Sequence, residues 1–473
     1  MPKSAYDAVV VGSGPNGLAA AITLRQAGLT VLLIEGSEQI GGGMRSRELT
    51  LPGFVHDVCS AVHPMARISP FFSSLPLQQH GLAYADPEIA AAHPLDDGSA
   101  AVLRHSLKDT ADGLGTDRQP YLDLMEQLVK DIPKLLPELL SAFPVPRHPI
   151  ALGRFGLQAI TTASHLSGRF KTMQARGLWG GMAAHSMQPL DHLLTSGIGL
   201  MLMGAAHLAN WPVVKGGSQS LANALLSYYG SIGGEVQTGF CVKDLEELPT
   251  SKVVLMDVTP SQLLKIAGKN LSGRYTKRLR KYRYGMGVFK VDWALKEPVP
   301  FSNPDCRRAG TVHIGGSFEE IADSEKKIAN GKAAERPFVL FSQPSLFDTS
   351  RAPEGLHTAW AYCHVPSGLS QDQTRVIENQ MERFAPGFRE TILARHTMNA
   401  SEMEAYNPNY VGGDINGGVQ DIWQHFSRPV LSTSPYRTSA KGLYLCSSST
   451  PPGGGVHGMC GYHAAIRALK DIF

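Results

Sequence analysis

Three glycines and one acidic residue near the amino terminus of the 473-residue chain have a spacing that could do chemistry. They are Gly12, Gly14 and Gly17, with Glu35 lying 21 residues beyond Gly14. In this spacing the first glycine allows a tight turn, the second lets the backbone approach a pyrophosphate, and the third lets a helix pack on a strand. A carboxylate at the distance of Glu35 accepts hydrogen bonds from ribose hydroxyls. The pattern therefore predicts a dinucleotide site.

The residues around the glycines predict the elements that must position them. "YDAVVV" is typical of a buried parallel strand, "NGLAAAITLRQAG" of a helix with Gly28 at its end, and "TVLLIE" of a second strand. The free N–H groups in the first turn of that helix favour a bound phosphate. Because Glu35 ends the second strand, the 2′-phosphate of NADP is disfavoured, and we expect FAD or NAD.

Further segments favour FAD. Gly41–Gly43 precede Arg45 shortly after the ribose acid, residues 211–245 contain "KGGSQSLANALLSYYGSIGGEV", and residues 442–469 contain the turn "GGGVHGM" before a helix. In these segments the chain resembles the flavin-containing amine oxidase and phytoene desaturase superfamily. The resemblance is to the bacterial phytoene dehydrogenase-related branch, with its carotenoid isomerases and retinol saturases. It covers both ends and a middle block.

The resemblance implies FAD as the cofactor, with the C-terminal turn facing the isoalloxazine ring and the position of Val242 meeting the adenine. Cys446 and Cys460 leave covalent attachment of the flavin open. The fingerprint and the resemblance together assign these positions to the cofactor: Gly12, Ser13, Gly14, Pro15, Asn16, Gly17, Glu35, Gly36, Gly42, Gly43, Met44, Arg45, Val242, Thr259, Pro260, Ser448, Gly455, His457, Gly458 and Met459.

The predicted fold class is α/β, with a Rossmann-like FAD-binding domain of the glutathione reductase type and a discontinuous mixed α+β substrate domain. The chain is too long for one ordinary core. We expect the FAD-binding domain over residues 1–72, 211–286 and 405–473, and the substrate domain over 73–210 and 287–404. In the latter, "YLDLMEQLVKDIPKLLPELLSAF" predicts an amphipathic helix, while "GVFKVDWAL" and "HTAWAYCHV" alternate as half-buried strands would.

Four residues are candidates for catalysis. His185 lies in an unusually apolar stretch, Tyr410 and Asp414 lie in a segment rich in paired glycines, and His457 lies inside the C-terminal glycine turn. A satisfied core histidine is the alternative for His185, and a turn-rich loop is the alternative for Tyr410 and Asp414. No CxxC pair and no second glycine fingerprint after a strand occur, which argues against a disulphide reductase, and no metal site is expected.

The expected reaction is hydride transfer between a substrate carbon and flavin N5. Desaturation or isomerisation of an apolar, isoprenoid-like small molecule is the leading hypothesis, with oxygen or a quinone as electron acceptor. Three alternatives stay open: a saturase that reduces a C=C bond, an amine or amino-acid oxidase, and a non-catalytic FAD-binding scaffold. An oxidase of that kind would be expected to show an aromatic cage or a carboxylate-binding arginine near the flavin.

Charge and hydropathy bear on partners and location. The 44 Lys and Arg against 41 Asp and Glu give a net charge of +3, so no nucleic-acid partner is expected. We see no secretory signal and expect a cytoplasmic protein. The most apolar stretch, residues 196–211, is short for a membrane span and contains His207 and Asn210. Residues 274–285 hold six basic residues, typical of a solvated helix face, with peripheral contact to anionic lipid as the alternative. The oligomeric state is left open.

Overall fold

The computed structural model describes residues 5–142 and 145–473. Within them the strands are β1 (Ala5–Val11), β2 (Val31–Ile34), β3 (Ser46–Glu48), β4 (Val55–Asp57), β5 (Tyr84–Ala85), β6 (Ile89–Pro94), β7 (Ala100–Arg104), β8 (Val213–Val214), β9 (Glu235–Gln237), β10 (Thr250–Met256), β11 (Gly287–Leu295), β12 (Ala309–Ile314), β13 (Val339–Ser342), β14 (His357–Val365), β15 (Ile392–Met398) and β16 (Leu443–Leu445).

The α-helices of the same residues are α1 (Pro15–Gln26), α2 (Pro64–Ile68), α3 (Pro70–Ser73), α4 (Leu107–Asp112), α5 (Arg118–Leu139), α6 (Pro149–Ala159), α7 (Ala163–Ser167), α8 (Met173–Ala184), α9 (Thr195–Ala209), α10 (Gln219–Ser231), α11 (Pro260–Ala267), α12 (Gly273–Leu279), α13 (Phe318–Ala329), α14 (Thr374–Phe384), α15 (Ala400–Tyr406), α16 (Ile422–Ser427) and α17 (Met459–Ile472).

A five-stranded parallel sheet in the order β16-β10-β1-β2-β9 organises the part of the chain with the glycine fingerprint. Side chains alternate across its faces: Ala8 and Val10 of β1 pack toward α1, α10 and α17, while Val9 and Val11 pack toward α11 and α12. The sheet is therefore covered on both sides, which explains why its strands are apolar throughout. All five strands lie inside the ranges predicted for the FAD-binding domain, whose boundaries stay a prediction.

A second, seven-stranded sheet has the order β15-β11-β14-β13-β12-β6-β7. Its neighbouring strands are antiparallel except for the parallel pair β12 and β6. One face packs on α14, and the other faces a helical layer that includes α8 and α9. The prediction of half-buried strands for β11 and β14 is wrong: all of β11, and β14 beyond its first residue, are buried because both strands lie inside the sheet and are covered on both faces.

The two ends of the chain meet at the glycine turn. Helix α17 packs against α1 so closely that a Cβ at Gly461 would lie 1.7 Å from the carbonyl oxygen of Asn16. Only glycine allows this approach of two backbones. The contact holds the C-terminal turn, residues 453–458, beside the turn at Gly12 and Gly14.

Candidate functional site

A cavity of about 300 Å³ begins at the glycine turn and extends to the space between the two sheets. Its first part lies at the carboxyl ends of β1 and β10, where open α/β sheets bind ligands. Its second part is lined mainly by apolar and aromatic side chains. The predicted cofactor residues that line it are Pro15, Asn16, Gly43, Thr259, Ser448 and Gly455.

The glycine turn has the shape that a dinucleotide pyrophosphate needs. Gly12 has φ +98°, in the left-handed region that favours glycine, and a Cβ on it would lie 2.8 Å from the carbonyl oxygen of Asp257. A Cβ at Gly42 would lie 3.0 Å from the Cα of Gly14, so these loops touch through glycine alone. The amide oxygen of Asn16, which lines the cavity, is buried without a hydrogen-bond partner. These features fit a ligand with polar groups at this point.

Asp257 is an acidic residue in the phosphate cradle that sequence reasoning missed. It follows β10 directly, lines the cavity, and its Oδ2 accepts a hydrogen bond of 2.8 Å from the backbone N–H of Gly17. Burial raises the pKa of this carboxyl to about 7, and the charge of Glu35 raises it further. The available signal was one acidic residue at the carboxyl end of an otherwise apolar strand.

Glu35 is held rigidly at the end of β2. Its carboxylate accepts hydrogen bonds from the backbone N–H of Ser13 at 3.0 Å and of Ser37 at 2.9 Å, and pairs with the guanidinium of Arg45 at 2.9 Å. Arg45 in turn donates to the carbonyl oxygen of Gln39 at 2.8 Å. The structure thus brings the predicted ribose acid and the predicted pyrophosphate arginine into one buried ion pair.

The C-terminal turn contributes backbone rather than the His457 side chain. Gly455 and Val456 line the cavity, while His457 is buried behind them and its Nδ1 accepts a hydrogen bond of 3.0 Å from the backbone N–H of Met459. Burial lowers the pKa of His457 to about 4. Its side chain therefore fixes the start of α17, and the catalytic assignment stays an untested prediction.

His185 lies in the apolar part of the cavity and shares a hydrogen bond with a second histidine. Its Nε2 is 3.0 Å from Nε2 of His313 on β12, so one ring donates and the other accepts. Burial lowers the pKa of His185 to about 3 and that of His313 well below its usual value. His185 is therefore a neutral imidazole at physiological pH.

Tyr410 and Asp414 are separated by the structure. Tyr410 lines the cavity, and a Cβ at Gly43 would lie 3.0 Å from its hydroxyl oxygen. The buried carboxylate of Asp414 accepts hydrogen bonds from the backbone N–H groups of Gly285 at 2.7 Å, Asn416 at 2.8 Å and Gly418 at 2.9 Å. Asp414 thus fixes the loop conformation, whereas Tyr410 is available to a ligand; neither predicted role is tested by this placement.

Several cavity and near-cavity residues were missed by sequence reasoning. Trp360 and Tyr362 on β14 have ring centroids 5.2 Å apart in an edge-to-face contact, and both line the cavity with Trp211. Behind this wall Nδ1 of His364 lies 2.8 Å from Oε2 of the buried Glu325. The alternation of β14 places Trp360, Tyr362 and His364 on one face, a signal that the strand pattern contained.

A second buried ion pair lies on β11. Lys290 and Asp292 pair with each other, and Asp292 also lies 3.6 Å from the imidazole nitrogens of His56 and His396. The alternation of "FKVDW" would place both charges on a solvent-facing side, but they are buried and neutralise each other instead.

The comparisons with known proteins agree with this geometry. Residues 10–75 match the family model of the NAD(P)-binding Rossmann-like domain. The chain is 26% identical to mouse pyridine nucleotide-disulfide oxidoreductase domain-containing protein 2, over 99% of this chain and 94% of that one. It is 23% identical to a limonene dehydrogenase polypeptide of Castellaniella defragrans, over 98% and 95%. A structure of a putrescine oxidase triple mutant superposes with a TM-score of 0.64 at 16% identity, covering 98% of this chain and 99% of that one.

The chain is a Rossmann-like oxidoreductase of the flavin amine oxidase and pyridine nucleotide-disulfide oxidoreductase superfamily. The predicted fold class is confirmed. The resemblance to phytoene desaturases is distant and partial: the lycopene-forming enzyme of a Paracoccus species is 21% identical over 54% of this chain and 55% of that one. In the described residues no helix is long and apolar enough to cross a membrane.

Proposed function

We propose that the protein is an FAD-dependent oxidoreductase that transfers a hydride between a substrate carbon and flavin N5. The observation that carries the proposal is the continuity of the cavity: it joins the glycine cradle at Asn16 to the aromatic wall at Trp360 and Tyr362. A cofactor bound along the cradle would supply a two-electron acceptor at the entrance to the apolar chamber. The extent of the cavity supports a long dinucleotide with its reactive end inside.

The residues at the cradle would hold the two halves of the dinucleotide. The Glu35 and Arg45 pair would hold the ribose and pyrophosphate, with the first turn of α1 favouring the phosphates. Gly455 and Val456 would form the wall beside the reactive end. Val242, buried on the face of the sheet that packs against α11, stays the proposed neighbour of the adenine.

His185 is proposed to handle the proton. A desaturation removes one hydride and one proton from adjacent substrate carbons, so a base must lie in the chamber. His185 is neutral there, and its hydrogen bond with His313 fixes the ring. Accepting the proton would make an imidazolium, which His313 would share through the Nε2 to Nε2 hydrogen bond.

An apolar substrate is proposed from the chamber lining. The non-cofactor part of the wall includes Leu202, Trp211, Leu340 and Trp360, and no Arg or Lys is among the described residues that line the cavity. This composition supports an isoprenoid-like hydrocarbon, a substrate class that also agrees with the name of the limonene dehydrogenase relative. A substrate carboxylate would find no cationic partner there, which disfavours an amino-acid oxidase.

Amine oxidation is the second candidate, and one observation favours it. Trp360, Tyr362 and Tyr410 line the same chamber, and aromatic faces of this kind hold an amine through its cation or its apolar body. The structural similarity to a putrescine oxidase concerns the fold alone.

Anaerobic reduction of the flavin-loaded protein separates these functions. Limonene and a monoamine such as cyclohexylamine would each be added to the oxidised protein, followed by air. Bleaching by the hydrocarbon supports desaturation, and bleaching by the amine supports the oxidase. Rapid bleaching by NADPH would instead identify a reductase of the saturase type. Flavin that none of these compounds reduces would count against the proposed reaction and these substrate classes.

A further inference from the structure

Three large apolar side chains are exposed together near the end of the loop that leaves the cavity. Trp423 and Phe426 lie three residues apart on α16 and are 79% and 52% exposed, and Leu431 shortly after the helix is 72% exposed. Residues at this spacing are neighbours on one side of a helix. We call Trp423, Phe426 and Leu431 the apolar tip.

A run of exposed cations lies against the same helix. The basic segment consists of Arg274, Lys277, Arg278, Arg280, Lys281 and Arg283, all exposed. Among the ion pairs of the described residues, this segment contributes the one between Arg283 and Asp421, at 2.5 Å. The remaining cations therefore stay available to an anionic partner.

Hydrogen bonds join the basic segment to α16. Gln424 donates from Nε2 to the carbonyl oxygen of Arg283 at 2.8 Å, and the backbone N–H of Arg283 donates to Oε1 of Gln424 at 2.9 Å. The backbone N–H of Val419 also donates to the carbonyl oxygen of Arg283, at 3.1 Å. The apolar tip and the end of the basic segment thus form one continuous, fixed surface.

The charge of this surface is uneven relative to the whole chain. Residues 258–291 contain nine Lys and Arg and no Asp or Glu, and residues 422–470 contain no Asp or Glu either, although the net charge is only +3. Positive charge is therefore concentrated in the two stretches that build the surface. A partner must be anionic and must also accept Trp, Phe and Leu side chains.

We propose that the apolar tip and the basic segment dock on an anionic lipid bilayer. Aromatic and aliphatic side chains insert at the boundary between headgroups and acyl chains, while neighbouring cations bind anionic headgroups. A nucleic acid would satisfy the cations but would offer no apolar phase to Leu431.

The docking surface is also connected to the wall of the cavity. Ile415 and Asn416 line the cavity, and Tyr282 of the basic segment donates to the carbonyl oxygen of Gly417 at 2.7 Å. Docking would place the cavity wall close to the membrane, where an apolar substrate partitions. This consequence rests on the proposed function, whereas docking itself does not.

Co-sedimentation with vesicles tests the proposal directly. The full-length protein would be mixed at low salt with phosphatidylcholine vesicles, and with vesicles in which about a third of the lipid is phosphatidylglycerol. We expect binding to the anionic vesicles only, with loss at high salt. The variants Trp423→Ala/Phe426→Ala and Arg280→Glu/Lys281→Glu should each lower the partition coefficient about tenfold or more, because each removes one component of docking.

Matched controls distinguish docking from misfolding. Val236→Ala/Leu393→Ala removes exposed apolar side chains elsewhere, and Lys332→Glu reverses a distant exposed charge. These variants should bind as the wild type does, and all variants should keep the wild-type thermal midpoint. Failure of the wild type to bind anionic vesicles, or wild-type binding by both docking variants, would overturn the proposal. Retention of a single-stranded oligonucleotide through the same residues without vesicle binding would overturn it too and assign the surface to nucleic acid.

Discussion

Asp257 accepts a hydrogen bond of 2.8 Å from the backbone N–H of Gly17, which is 240 positions away in the sequence. That N–H belongs to the first turn of α1, the part of the helix that favours phosphate. The carboxyl group and a pyrophosphate would therefore compete for the same small region, and the cradle accepts a dinucleotide more readily when Asp257 is protonated.

Cofactor affinity should consequently depend on pH through Asp257. Its pKa is raised to about 7, so the neutral form dominates below pH 7 and the carboxylate above it. We expect the Kd for FAD, measured by quenching of flavin fluorescence, to rise about tenfold between pH 6 and pH 8. Asp257→Asn should bind FAD with little pH dependence over this range. An equal pH dependence in wild type and variant would remove Asp257 from the explanation.

The thermal stability of the flavin-free protein should respond to the same group. Because the folded-state pKa of Asp257 is raised, its contribution to stability is fully present below the unfolded pKa near 3.8 and is lost as the pH rises through about 7. At pH 8 Asp257→Asn should therefore unfold at a higher temperature than the wild type. Calorimetry at pH 6 and pH 8 checks this, with a difference that must be larger at pH 8.

Gly14 should tolerate no side chain if the cradle holds a pyrophosphate. Its backbone is extended, so a side chain is not strained by φ, but a Cβ would lie 2.8 Å from Oδ2 of Asp257 and would project toward the ligand. Gly14→Val should lose bound flavin. Gly153→Ala, whose Cβ would contact nothing within 4 Å, is the matched control and should keep it. Full flavin occupancy in Gly14→Val would contradict the cradle assignment.

His185 should affect the chemical step and leave flavin binding unchanged. Replacing it with glutamine keeps a polar group beside His313 but removes the base, so the rate of anaerobic flavin reduction by the identified substrate should fall roughly 100-fold or more. His165→Gln, at an exposed position on α7, is the control. A His185→Gln variant that is reduced at the wild-type rate would place the base elsewhere.

Mild acid should destabilise the fold strongly. Burial lowers the pKa of a set of histidines from 6.5 to about 4 or below: His56, His63, His93, His185, His207, His425 and His457. Between those values the unfolded chain binds more protons, so stability present above pH 6.5 is lost as the pH falls, by up to about 1.4 kcal/mol per pH unit for each histidine. Thermal midpoints measured from pH 7 to pH 5 should fall steeply, and a flat profile would contradict the burial of these rings.

The sequence carried local elements well and long-range contacts poorly. The unit from β1 to Glu35, α5 and α17 was predictable because periodicity and glycine spacing act over a few residues. The burial of β11 was not, because it depends on partners far along the chain, and so Lys290 and Asp292 looked solvent-exposed. The contacts of His185 with His313, and of His364 with Glu325, likewise join residues more than thirty positions apart, for which single-sequence patterns give no signal.

The absorbance spectrum of the protein, incubated with FAD and then separated from free cofactor, tests the central claim most directly. We predict flavin bands that co-elute with the wild-type protein in stoichiometric amount, and that are absent from Gly14→Val treated in the same way. A folded wild-type protein that stays colourless after incubation with FAD would contradict the assignment of the cradle and the function proposed from it.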